Sequence, residues 1–212
     1  MNTPMISVPQ KQRPVRERIL EAAEAVFAES GYEGATVTDI AARAGLPKSN
    51  LHYYFGTKEA LYEAVLLNTL SMWDDAFKVL RAEREPADAL AECIRLKMEL
   101  SRTRPNANKV MTGEMLQGAP RLSQFLNTTL RDQVGQSMAV LNHWIELGKM
   151  EPVDPMHILL SIWAMTQQYA DYNPPIRALH GKDVLDEDDF EAATDSIIRL
   201  VLRGCGVPQP AS

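Results

Sequence analysis

Apolar residues recur along this chain at intervals of three and four, the repeat of a helix with one buried face, and no stretch alternates apolar with polar as a half-buried strand would. Val15, Ile19, Ala22, Ala23, Val26 and Phe27 form the first stripe, which Gly31 stops. Short helices are expected after Thr36 and after Leu46. Thr57 can cap a long helix from Lys58 to about Arg84, with Leu61, Val65, Leu66, Thr69, Leu70, Trp73, Phe77 and Leu80 as its stripe. Pro86 opens a helix ending near Arg104, and Pro105 a shorter one ending near Gly118. A long helix is expected from about Pro120 to Gly148, and another from Pro155 to about Tyr172, broken by Asn173-Pro174-Pro175. A last helix spans about Glu187 to Arg203, ended by Gly204 and Gly206. The pattern predicts an all-α protein: an N-terminal tail and three-helix unit over residues 1–60, then a larger helical body over residues 61–212, with the boundary inside the Lys58 helix. The tails, roughly 1–12 and 207–212, are expected to be disordered.

The segment from Thr36 to Phe55 has the layout of a helix-turn-helix. Two helices that cross closely need a small residue at the contact, and Ala41 supplies it. Four residues on, the turn needs a residue tolerant of positive φ, which is Gly45. Ile40, Leu46 and Leu51 are spaced to form the small core between the helices, and Thr36 can cap the first, with Asp39 favouring its N-terminus. The second helix would then enter the major groove of DNA with Lys48, Ser49 and Asn50 leading, short or basic groups able to donate to phosphates or base edges. His52, Tyr53 and Tyr54 follow, and Thr36, Thr38 and Lys58 complete the expected DNA-facing set, the last joining its ammonium to a helix N-terminus. Tyr54 is expected to be at least half buried, and Phe55 to belong to the core.

Charge neither demands nor forbids this reading. Of 212 residues, 22 are basic and 28 acidic, a net of −6. Residues 1–60 carry seven of each, so the whole deficit lies in the body, and a neutral small unit can still present its cations on one face. Met1 to Pro14 lacks the apolar centre of a secretory signal, and the longest apolar run, around His157 to Met165, is too short to cross a bilayer; the expected location is cytoplasmic. Cys93 and Cys205 form no CxxC pattern and read as buried thiols.

Thr36, Ile40-Ala41, Ala44-Gly45, Leu51, Tyr53-Tyr54-Phe55, Lys58-Glu59 and Leu61 together resemble the signature of TetR-family repressors. Pro47 departs from it by standing where a Ser or Thr cap is usual, and His52 by standing where Tyr is frequent. The resemblance implies a homodimer, paired through helices at about 155–172 and 187–203, on a near-palindromic double-stranded DNA operator. The body is similar to a narrower group within that family, the pyrimidine-utilisation regulators, over Ile94 to Ser101, Glu114 to Pro120 and Ile162 to Asp171. This implies a small pyrimidine, uracil or thymine, as the effector that releases DNA.

A flat, neutral ring edged with carbonyls and N–H groups is suited by an aromatic plane beside a side-chain amide. Trp73 and Phe77 lie four apart on one helix, Trp163 and Gln167 four apart on another, and these four are the expected effector-binding residues. Lys97 and Glu99 fall inside one of the resembling segments, but an exposed helix face accounts for them equally well. An alternative keeps the same DNA unit and gives the body a larger, more apolar effector, as in regulators of efflux or lipid metabolism. An enzyme is not expected: there is no Gly-rich phosphate loop, nucleophile elbow or paired-histidine metal motif, and no catalytic residue, metal or cofactor is assigned. A purely structural helical dimer would leave the Thr36–Lys58 arrangement unexplained.

Overall fold

The computed structural model describes residues 14–208. Every regular element among them is helical: α1 (Val15–Gly34), α2 (Val37–Ala44), α3 (Lys48–Phe55), α4 (Lys58–Phe77), α5 (Pro86–Thr103), α6 (Pro105–Leu116), α7 (Ser123–Phe125), α8 (Arg131–Glu146), α9 (Pro155–Asp171), α10 (Asn173–His180) and α11 (Glu187–Gly204), with a π-helical turn at Leu126–Leu130 between α7 and α8. The chain divides into two compact units, residues 1–68 and 69–212, and the division falls within α4. Of the expected tails, residues 1–12 and 209–212 lie outside the described residues, but Val207 is buried, its N–H bonded to the Leu202 carbonyl at 2.8 Å.

In the first unit Ile19, Ala22, Ala23, Val26 and Phe27 point inward from α1, and α2 packs on that helix. Gly31, at φ 68° and ψ 175°, breaks the helical path inside α1, as its lack of a Cβ allows. Phe27, Tyr32 and Tyr62 then form an aromatic cluster, with the Phe27 and Tyr62 rings edge to face at 4.9 Å.

In the second unit α5 is the central helix. It packs against both α9 and α11, and Leu90, Cys93, Ile94, Met98 and Ser101 are all buried on it. Trp144 from α8, Ile162 from α9 and Leu202 from α11 close the core around it. The Ser101 hydroxyl donates to the Thr166 carbonyl at 2.9 Å, which fixes the register of α5 on α9.

Three elements differ from the periodicity reading. α4 ends at Phe77, not near Arg84: Lys78 turns back onto Asp74 and Asp75 at 2.7 and 2.8 Å, and Leu80 buries itself from a turn. The helix expected from about Pro120 begins at Ser123 and is interrupted by the π turn. Asn173-Pro174-Pro175, expected only to break a helix, also starts α10, because proline fits the first turn, where its missing N–H has no partner to lose.

Candidate DNA-reading surface and effector cavity

The start of α2 is held by a reciprocal pair. The Thr36 hydroxyl accepts from the Asp39 N–H at 3.1 Å and donates to the Asp39 carboxylate at 2.6 Å. At its end Gly45 sits at φ 63° and ψ 40°, where the Gly45 and Leu46 N–H groups reach back to the Ala42 and Ala41 carbonyls. Arg18 from α1 donates to the Ala44 carbonyl at 2.8 Å and braces the turn. Pro47 caps α3 without a side-chain bond.

α3 turns Leu51 inward and leaves Lys48, Ser49, His52, Tyr53 and Tyr54 outward, with Asn50 half-buried. Tyr53 is 84% exposed, and its ring meets Tyr54 edge to face at 5.1 Å. The His52 Nδ1 lies 3.0 Å from the Gly56 carbonyl; a carbonyl only accepts, so that nitrogen carries the hydrogen and Nε2 points elsewhere. Thr36 and Thr38 are exposed at the start of α2. Phe55 is half-buried, with the Arg16 guanidinium 5.5 Å over its ring. Lys58 faces the protein: its ammonium donates to the Tyr32 and Ala35 carbonyls at 2.8 and 3.1 Å and stands 4.4 Å over the Tyr32 ring. Two of its three donors are therefore committed to holding the end of α1.

The second unit contains a cavity of about 430 Å³, bounded by α4, α5, α8, α9 and the π turn. Trp73, Phe77 and Trp163 line it, as do Leu126, Leu130 and Val134 from the π turn and α8. Trp73 and Trp163 meet edge to face at 5.3 Å. The Trp73 indole N–H donates to the Asn108 Oδ1 at 2.9 Å, and the Asn108 amide donates to the Leu100 carbonyl at 3.3 Å. With its donor occupied, Trp73 offers the cavity only ring surface.

Lys97 lines the same cavity and is 3% exposed. Its ammonium lies 4.7 Å from the Trp73 ring centre, 5.4 Å from Phe77 and 6.0 Å from Trp163. Burial pushes this lysine down from its ordinary 10.5 to about 8, because the charged form loses water. Burial also pushes the Cys93 thiol, one turn earlier on α5, up to about 12.

Two sequence profiles match the chain: that of the N-terminal region of bacterial regulatory proteins of the tetR family over residues 19–65, and that of the C-terminal region of YcdC-like proteins over residues 66–208. The chain belongs to the TetR family. Like other TetR-family regulators it is a ligand-responsive, DNA-binding regulator of transcription, not an enzyme. It is 39% identical to the HTH-type transcriptional regulator RutR of Escherichia coli K12 over 89% of each chain. Among solved structures it is similar to SCO4942 of Streptomyces coelicolor (TM-score 0.71, 26% identity, covering 92% of this chain and 100% of that one). It is also similar to the TetR-family regulator PfmR of Thermus thermophilus (TM-score 0.68, 25% identity, 88% and 97% covered). No helix among the described residues is long and apolar enough to cross a membrane.

The TetR-family fold thus gathers Trp73, Phe77 and Trp163 around one cavity and sets Gln167 apart. Gln167 borders a separate shallow depression with Leu160, Gln168, Asp171 and Tyr172, and its amide donates to the Asp171 carboxylate at 3.3 Å. Trp163 is shared between the two. Sequence reasoning missed Asn108 and Arg131 and left Lys97 to an exposed face. The signal for Lys97 was present: it falls on the same stripe as Leu90, Ile94 and Ser101, a single cation on a face that is otherwise buried.

Proposed function

We propose that this protein holds a near-palindromic operator as a homodimer and releases it when a small pyrimidine, uracil or thymine, occupies the cavity lined by Trp73, Phe77 and Trp163. The observation that carries the reading is this aromatic-lined cavity in a body whose Ile94–Ser101, Glu114–Pro120 and Ile162–Asp171 segments resemble pyrimidine-utilisation regulators. Its volume of about 430 Å³ has room for a single ring. A cationic effector of the kind expected for drug efflux would meet the Lys97 ammonium.

Tyr53, His52, Lys48, Ser49 and Asn50 are the residues assigned to the groove, with Tyr54, Thr36 and Thr38 at its edge. The Tyr53 side chain is 84% exposed, which leaves its ring and hydroxyl free to meet a groove. Exposed apolar residues on α9 and α11, Leu160 and Leu200, support pairing through those two helices. Two-fold pairing requires the recognition helices to reach successive major grooves, about 34–36 Å apart or a multiple of it. Because α4 carries Lys58 at its start and Trp73 and Phe77 at its end, ligand in the cavity has a direct route to bias the tilt of that helix. The bias equals the difference in ligand affinity between the two states, typically about 1–3 kcal/mol.

Calorimetric titration with uracil and thymine tests the effector. Saturable heat from either, with dyes and acyl thioesters silent, is the expected result; the reverse pattern would assign the chain to the efflux or lipid class.

A further inference from the structure

We infer that the cavity takes its effector as an anion, a planar heterocycle that has given up a ring N–H proton, with the Lys97 ammonium as its counter-ion. The choice of ring rests on the pyrimidine reading above; the charge rests on the cavity itself.

Lys97 is buried, aimed into the cavity, and surrounded by three aromatic rings. Among the described residues no carboxylate pairs with it and no group accepts a hydrogen bond from it. Ring faces offset part of the cost of desolvating an ammonium, but a buried charge is stable only when paired. The charged groups on neighbouring elements do not supply the pair. On α4, Asp74 lines the cavity, but its carboxylate is held at 2.7 Å by Lys78. On α8, Arg131 adds a second cation to the lining. On α5 itself, Cys93 stays a neutral thiol up to about 12. The α9 residues at the cavity, Met156, Leu159, Leu160 and Trp163, carry no charge. Arg131 is exposed to solvent, so it is the buried, unpaired Lys97 that leaves an anion as the missing component.

Uracil-type rings can supply it. Loss of an imide proton spreads negative charge over the flanking carbonyl oxygens, and an ammonium bonded to such an oxygen makes a charge-assisted hydrogen bond. The balance is explicit. With Lys97 already protonated, neutral ligand binds and one proton leaves to solvent. With Lys97 neutral, the ring proton passes to the amine and none leaves.

The test is isothermal titration of the full chain with 5-fluorouracil, uracil and thymine, whose ring protons are progressively less acidic. Each is measured in two buffers of different protonation enthalpy, so that protons released are counted. Affinity should fall in that order, and for uracil and thymine close to one proton should be released per ligand well below pH 8 and close to none just above it. In Lys97→Met the order should flatten and uracil should bind roughly tenfold or more weakly. The wild-type proton count stands whether or not that variant folds. Benzoate against benzamide, two single rings that differ chiefly in charge, gives an arm that does not depend on pyrimidines. Pyrimidine binding with no acidity order and no proton release overturns the anion assignment and leaves the pyrimidine effector standing. If no pyrimidine binds while benzoate outcompetes benzamide through Lys97, the anion assignment holds and the pyrimidine effector falls. Silence from all of these overturns both.

Discussion

The Lys97 ammonium stands 4.7 Å from the centre of the Trp73 ring, and the Trp73 indole N–H is fixed by Asn108 at 2.9 Å. A buried amide thus positions an aromatic plane, and that plane faces the one lysine that α5 turns into the cavity. This wall of the cavity is built from that chain of contacts more than from any single residue.

Asn108→Leu breaks the chain at its start. The Trp73 N–H loses its acceptor in a buried site, which should lower unfolding free energy by about 1–3 kcal/mol, read from urea denaturation. Effector affinity should weaken as well, because the ring is no longer held. Unchanged stability would mean that the Trp73–Asn108 bond contributes nothing net.

Lys97→Met should stabilise the protein. The folded-state value of Lys97, about 8, lies below its ordinary 10.5, so the folded chain binds fewer protons than the unfolded chain between those limits. Wild-type stability should therefore rise with pH across that window, and the penalty should be fully present below about pH 8. The methionine variant removes it, a gain of up to about 3 kcal/mol at neutral pH that vanishes towards 10.5. Chemical denaturation of both proteins over that range checks the sign; a gain that grows with pH would contradict it.

Tyr53→Ala separates reading DNA from folding. The side chain is 84% exposed, so unfolding free energy should change by no more than about 0.5 kcal/mol. Operator affinity at fixed salt should nevertheless fall about tenfold or more. Equal affinity in fluorescence anisotropy would remove Tyr53 from the groove.

Gly45→Ala tests the turn between α2 and α3. No clash is involved, since an added Cβ would find only the Arg18 guanidinium at 3.7 Å. The cost is conformational, about 1–2 kcal/mol for holding an alanine at φ 63°. A thermal midpoint unchanged in scanning calorimetry would show that the turn relaxes freely.

These residues also mark where the sequence was readable. Thr36, Ala41, Gly45 and Leu51 are legible because a tight turn between two short helices leaves few residue types able to fill each place. The end of α4 was not, because Leu80 continues the apolar stripe whether it is buried from a helix or from a turn. The proline pair at Pro174 and Pro175 stops one helix and starts another, and spacing alone does not separate those effects. At the cavity, Trp73, Phe77 and Trp163 could be chosen from aromatic spacing. Gln167 could not be placed, since one turn of α9 carries it from the cavity to the neighbouring depression. Lys97 escaped because a lysine is so seldom buried that an exposed face is the natural expectation.

Whether the Trp73–Trp163 cavity is the effector site is decided most directly by titrating uracil into the full chain and into Trp163→Ala by calorimetry. Saturable binding of one uracil per chain, lost or greatly weakened in the variant while its thermal midpoint shows it folded, is the predicted result. No heat and no shift in thermal midpoint at millimolar uracil in the wild type would contradict it, as would undiminished binding in the variant.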